Sequence, residues 1–319
     1  MKPRCGGGVV YFLVIAMTLV VRISQYVGID DALGIDIGII FTLSVQIGCF
    51  GLLPVLGWWI IVGGARKDTL RTLPRTFGIV KCSKRDLGRV LVITLPALLL
   101  TGLAANAWYN FLSLTGFDTG GSSSTVQTVP ALISDIVLSA VLPAVFEELV
   151  HRGELIATYR DSGGKAVLVS ALLFALMHQN ILQLAHTLLL GAVLAAVVWC
   201  SGSVLPAMLV HFFNNFVSVI SGYDGLVPVF GVIGDATSWL YGTVPGMAVL
   251  CILAVASALL IAVVLRRMRY DAVREGRLPA APFFSAAEGA LPLHRDVLLW
   301  TVTGIGVATM LFSLSWGYL

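Results

Sequence analysis

Apolar runs of about twenty residues recur along nearly the whole chain, and segments of that length and character read as membrane spans. Candidates cover 9–28, 35–64, 89–113, 131–159, 165–180, 182–200, 203–221, 239–265 and 296–316. The segment 165–180 is short and could be continuous with its neighbour. Hydrocarbon offers no water to backbone N–H and C=O groups, so a spanning segment of this kind must satisfy them internally, as a helix. Charged residues make up only 12% of the chain, against roughly 25% in soluble domains. Mean hydropathy is +0.94. The expectation is an all-α, polytopic membrane helical bundle of about eight or nine transmembrane helices, forming a single integral membrane domain over 1–319.

Lys and Arg set the expected orientation. The 65–89 loop carries Arg66, Lys67, Arg71, Arg75, Lys81, Lys84, Arg85 and Arg89, and the 266–295 loop carries Arg266, Arg267, Arg269, Arg274, Arg277 and Arg295. Both are expected to be cytoplasmic. Loops 29–34, 114–130 and 222–238 hold Asp30, Asp31, Asp118, Asp224 and Asp235, with no Lys or Arg. Nine spans with a cytoplasmic N-terminus satisfy all of these assignments, in a multi-pass protein of the cell membrane. The apolar run from Val9 reads as an uncleaved first helix, and Gly-Gly-Ser-Ser-Ser-Thr at 120–125 as a flexible extracytoplasmic loop. Cys5, Cys49, Cys82, Cys200 and Cys251 show no paired spacing, so neither a disulfide framework nor a cysteine zinc site is indicated. Nothing points to nucleic acid, and oligomeric state is not encoded legibly.

Against this apolar background, the run Glu147-Glu148-Leu-Val-His-Arg152 is anomalous. Each ionisable group at the centre of a spanning helix costs about +2.5 to 3.5 kcal/mol on insertion scales, so such groups mark functional sites by default. Glu148 and Arg152 are four residues apart and share a helix face, where they can pair. Glu147 then faces a different neighbour. Pro143, one turn earlier, can bend the helix. Two later apolar segments carry polar groups: Phe174-Ala-Leu-Met-His178, and His211-Phe-Phe-Asn-Asn215, in which His211 and Asn215 share a face. At 1.5 Å per residue, Glu147 lies roughly 18 Å, His178 about 20 Å and His211 about 12 Å from the cytoplasmic helix ends. One membrane-buried site open to the cytoplasmic side is expected. A desolvated glutamate can act as general base toward water, with histidine orienting that water or protonating a leaving nitrogen. Hydrogen-bond donors on His211 and Asn215 suit an oxyanion. The set fits water-mediated amide hydrolysis.

At these residues the chain resembles the CAAX protease and bacteriocin-processing (CPBP, Abi) family of intramembrane endopeptidases. The family pattern is Glu-Glu-x-x-x-Arg, Phe-x-x-x-His and His-x-x-x-Asn/Asp. Here it reads Glu147-Glu148-x-x-x-Arg152, Phe174-x-x-x-His178 and His211-x-x-x-Asn215, in that order, within a core at 131–221. The resemblance implies a helical endopeptidase acting on peptide or protein substrates, lipidated CAAX-type ones among them. It implies that Glu147 activates water with His178, that His211 and Asn215 form the oxyanion site, and that Glu148 and Arg152 position the motif helix, with Phe174 in support. The family was long described as metalloproteases, although a metal-free glutamate mechanism is favoured for it. No cofactor is expected; zinc on Glu147, His178 and His211 is the lesser alternative.

Other readings remain at this level. Some relatives in that family are immunity factors or scaffolds, so a catalytically silent membrane protein is the first alternative. Buried Glu and His also build proton relays, which makes a proton-coupled transporter the second. Glu148-Leu-Val-His151 has the Glu-x-x-His spacing of di-iron bundles but lacks the second copy. The pair Glu148 and Arg152 could be an anchor, each histidine a packing residue, and Asn215 or Asn214 a link between helices. Glu154 and His294 read as solvated, Arg22 as snorkelling to the interface, and His186 has no legible partner.

Overall fold

The structure is a computed structural model that describes residues 15–16, 42–62, 74–75, 77–119, 126, 128–226, 238–280, 283, 286 and 292–315. It is helical throughout, with one isolated backbone bridge between Val126 and Tyr223. Eight principal helices follow in order: α1 (44–62), α2 (Lys84–Leu114), α3 (Val129–Ser162), α4 (Lys165–Met177), α5 (Ile181–Ser201), α6 (Leu205–Ser221), α7 (Val244–Arg274) and α8 (Val297–Ser315). Among the described residues, α2, α3, α5, α7 and α8 are long and apolar enough to cross a membrane, and α1, α4 and α6 are shorter apolar helices. The protein is an integral, multi-pass membrane protein. Most of the expected first span at 9–28, with Arg22, the 120–125 loop and all of 65–73 lie outside the described residues.

Local chemistry fixes the helix ends. Ser83 accepts a hydrogen bond from Arg85 N at the start of α2, with Asp86 in the first turn. Thr128 caps α3 through Ala131 N, and Thr243 caps α7 through Gly246 N; each is followed by a proline within the first turn. Gly202, at φ +79°, closes α5 in the left-handed region.

Three features differ from the sequence reading. First, α4 is only thirteen residues long, about 20 Å at 1.5 Å per residue, too short for the hydrocarbon core. It does not run on into α5: Gln179, at φ +48°, reverses the chain. The pair α4 and α5 is therefore a hairpin packed along its length. Second, α7 continues to Arg274, so Arg266, Arg267, Arg269 and Arg274 stand on a helix rather than in a loop. Basic residues favour this end of the helix dipole, and Arg269 is held by the Trp199 and Pro279 carbonyls at 3.1 and 2.8 Å. Third, Glu154 is not solvated but 1% exposed; its position in α3 turns it inward among the packed helices.

The helix α3 is wound unevenly. Ile136–Val141 and Leu149–Leu155 are π-helical, and Leu142–Glu148 between them is α-helical. The α1 segment Ser44–Leu52 is also π-helical and packs on the middle of α3. Such widened turns are often found at functional sites.

The apolar core lies toward one end of the bundle. Val150, Leu155, Ile156 and Tyr159 of α3 meet Leu194 and Val197 of α5 and Val204, Ala207 and Val210 of α6, all nearly inaccessible. The segment 77–80 closes over this end. Val204 N donates to the Gly78 carbonyl at 3.0 Å, and Ser203 Oγ to the Val80 carbonyl at 2.7 Å. Gly153 lets that strap approach: a Cβ there would sit 2.7 Å from the Phe77 carbonyl oxygen.

Candidate active site

The Glu-Glu-x-x-x-Arg run sits where the α-helical part of α3 gives way to its second π-helical stretch. Glu148 and Arg152 have no exposed side-chain surface, and Arg152 Nη1 donates to Glu148 Oε1 at 2.9 Å. The guanidinium also donates through Nη2 to the Gly191 carbonyl of α5 at 3.2 Å and lies 4.2 Å above the Phe174 ring. A buried charge needs this density of partners to be tolerated. Gly191 eases the approach: a Cβ there would crowd Phe174 Cδ1 at 3.1 Å and the Ala171 Cα and carbonyl oxygen at 3.2 Å.

Glu148 Oε1 has a second partner. His211 Nδ1 lies 2.9 Å from it. Because Glu148 is already ion-paired with Arg152, it acts as the acceptor and His211 Nδ1–H as the donor. That assigns the tautomer and turns His211 Nε2 toward the neighbouring carboxylate, 4.0 Å from Glu147 Oε2. Glu147 itself is 6% exposed. Its Oε1 accepts from Gln46 Nε2 at 2.9 Å, which ties α1 to the site.

Phe174 is the hub of the cluster. Its ring stands edge to face with His151, His178 and His211, at centroid separations of 5.1, 4.9 and 5.6 Å. His178 Nδ1 donates to the Phe174 carbonyl at 2.8 Å, and His151 Nδ1 to the Glu147 carbonyl at 2.8 Å. Ser170 donates to the His151 carbonyl. Asn214 and Asn215 lie on α6, Asn214 Nδ2 donating to Asn215 Oδ1 at 3.1 Å.

Glu147, His178, His211 and Asn215 all line one cavity of about 830 Å³, with Phe174 in its wall. Glu148 and Arg152 lie behind it and do not line it. The motif residues thus form two layers, one on the cavity and one supporting it. Gln46 and His186 also line the cavity. Sequence reasoning missed Gln46, whose only signal is a lone amide in an apolar run, and left His186 without a role. Among the described lining residues, Glu147 is the single one of Asp, Glu, Lys and Arg type.

The cavity lies in the half of the bundle remote from the basic helix ends. Its lining comes from residues 98–109 of α2, 138–147 of α3, 182–190 of α5 and 211–219 of α6. Each set lies in the half of its helix, or extends into the half, remote from the basic ends at Lys84, Ser162, Ser201 and Leu205. The depth arithmetic of the sequence reading located the three motifs at similar levels but contained nothing about which half was filled. Bulky residues fill the half toward the basic ends.

Among the described residues, no group of three or more His, Cys, Asp and Glu side chains could hold a metal ion.

Residues 129–217 match the family model of the Type II CAAX prenyl endopeptidase Rce1-like proteins. The matched stretch contains every motif residue from Glu147 to Asn215. No curated protein and no solved structure matches the chain. The paired glutamates, the arginine and the two motif histidines gathered at this buried cavity all fall within the stretch, 129–217, that is similar to the Type II CAAX prenyl endopeptidase Rce1-like family.

Proposed function

We propose that the protein is an intramembrane endopeptidase that hydrolyses peptide bonds of membrane-associated proteins or peptides, lipidated CAAX-type ones included. The observation that carries this reading is the 4.0 Å gap between Glu147 Oε2 and His211 Nε2. It is too long for a direct hydrogen bond and suits one bridging water, about 2.8 Å from each atom. The Glu147 carboxylate takes a proton from that water as its oxygen attacks the substrate carbonyl carbon. His211 Nε2 fixes the water's direction, and Glu148 fixes His211. The amide of Asn215 supplies a hydrogen-bond donor to the developing oxyanion. The C–N bond then breaks, and the departing nitrogen takes a proton by way of Glu147 or His178. Geometry thus favours His211 over His178 as the second partner of the water, and leaves His178 for the leaving group.

The chain sits in the cell membrane with its N-terminus and the basic stretches 65–89 and 266–295 at the cytoplasmic face, as their Lys and Arg content favours. The site works without zinc or another cofactor. The test is cleavage of a quenched peptide library by the purified protein and its Glu147→Gln variant, with and without a strong chelator. Turnover by the parent protein that resists the chelator and is lost in the variant supports the reading. Undiminished turnover by Glu147→Gln refutes the assignment of Glu147, and loss of turnover on chelation refutes the metal-free site.

A further inference from the structure

We infer that the basic end of α7 is a docking surface for the headgroups of anionic phospholipids in the adjoining membrane leaflet. The inference stands apart from the proteolytic reading and does not depend on which face of the membrane that leaflet belongs to. Residues 244–265 of α7 include no Asp, Glu, Lys or Arg. They span about 32 Å at 1.5 Å per residue, close to the roughly 30 Å thickness of the hydrocarbon core. One side of the helix is buried in the bundle through Leu250, Ser257, Ile261, Met268 and Ala272. On the other side Ile252, Val255, Leu259 and Val263 are 57–67% exposed. They recur every three or four residues and so form one apolar stripe, suited to contact with acyl chains.

The stripe continues past the apolar stretch with a change of chemistry. The same steps lead from Val263 to Arg266, Tyr270 and Arg274, all exposed, with Arg267 exposed beside them. Arg266 and Arg267 stand where the apolar stretch ends. Tyr270 lies about 6 Å and Arg274 about 12 Å farther along the axis from Arg266. This is headgroup depth, where tyrosine and basic side chains are favoured.

The acids nearby are committed to other cations. Asp86, fully buried, holds Arg89 at 3.1 Å and Arg277 at 3.0 Å. Asp271 receives Arg89 at 2.5 Å, and Glu275 pairs with Arg277 at 2.9 Å and Arg85 at 3.9 Å. Arg269 is bound to the Trp199 and Pro279 carbonyls and lies against the Trp199 ring. Arg274 is attracted by Asp271 without reaching it as an ion pair. Among the described residues, Arg266, Arg267 and Arg274 therefore form no ion pair, and neither do the exposed Lys81 and Lys84 at the start of α2, the helix packed along α7. Cations left over directly beyond a lipid-facing stripe call for an anion that arrives with its own acyl chains. An anionic phospholipid meets both requirements; a soluble phosphate meets only the first.

The test is native mass spectrometry of the full-length protein in detergent, supplied with equal amounts of phosphatidylglycerol and phosphatidylcholine. The parent protein is expected to retain phosphatidylglycerol preferentially. Replacing Arg266→Gln, Arg267→Gln and Arg274→Gln together is expected to lower that preference by about tenfold or more. The same three positions changed to Lys keep it, because the charge is kept. A control pair, Arg160→Gln with Lys165→Gln, removes exposed basic residues from the α3–α4 connection and is expected to leave it unchanged. The altered side chains are exposed, so unfolding temperatures in phosphatidylcholine should match the parent's. Equal retention of both lipids by the parent, or a preference that survives the three Gln changes, overturns the inference. An equal loss in the control pair marks general attraction by the basic end and overturns it as well. So does competition by inorganic phosphate, which would mark a site for a free anion. Peptide cleavage plays no part in the readout, so failure here leaves the protease reading standing, and the reverse.

Discussion

His211 Nδ1 and Glu148 Oε1 lie 2.9 Å apart, and the same oxygen receives Arg152. Glu148 is thus the joint between the ion pair on α3 and the imidazole on α6, not only half of a helix-anchoring pair. Its removal leaves Arg152 buried and deprives His211 of the acceptor that sets its tautomer. Glu148→Ala is expected to destabilise the fold by about 3–5 kcal/mol, the usual cost of breaking a buried ion pair. Thermal unfolding in detergent measures it. Glu148→Gln keeps the shape and is expected to fold, with kcat reduced about 10²–10⁴-fold as His211 loses its orientation.

Gln46 bonds Glu147 from a helix outside the matched family domain. Gln46→Leu removes one buried hydrogen bond to a carboxylate. The expected cost is about 1–3 kcal/mol, together with slower turnover because Glu147 is no longer fixed. Kinetics on the purified variant check it: a fall in kcat with little change in KM is expected, because Gln46 acts by positioning Glu147.

Phe174 touches three histidines and carries the Arg152 guanidinium on its ring. Phe174→Ala opens a hole at this junction and is expected to cost about 3–5 kcal/mol. Phe174→Leu restores part of the volume but no aromatic face for Arg152, and should fall between the two in unfolding temperature.

Gly191→Ala tests how closely α5 approaches α4. The added methyl would crowd Phe174 and the Ala171 backbone at 3.1–3.2 Å. Overpacking of this kind typically costs about 1–3 kcal/mol, and displacement of the Gly191 carbonyl also weakens its bond to Arg152. A fall in both unfolding temperature and kcat is expected.

The helical architecture was legible because hydrophobic run length reports it directly, and the motif segments were legible because ionisable groups are rare in such runs. Spacing also placed Glu148 beside Arg152, a contact within one turn. Contacts across helices were not legible. Gln46 reaches Glu147 over a hundred residues of sequence, and nothing local distinguishes it from an amide that merely links helices. The His211 bond to Glu148 was hidden for the same reason: a four-residue period assigned His211 to Asn215 on its own helix, whereas tertiary packing turns its Nδ1 to α3. The break at Gln179 was left unsettled between separate and continuous segments because no Gly or Pro marks it. Which halves of the helices are filled is a property of packing in three dimensions, and no local pattern carries it. Glu154 was misread because polarity alone does not report which way a residue faces.

The central claim is that Glu147 and His211 act on one water across their 4.0 Å gap. A double-mutant cycle on kcat/KM measures this most directly, using Glu147→Gln, His211→Ala and the combined variant in the peptide-cleavage assay. Residues that serve one step as a unit are strongly non-additive. The account predicts that the double variant retains about the same residual activity as Glu147→Gln alone, every variant folding as judged by unfolding temperature. Independent, multiplying losses in the double variant would contradict it.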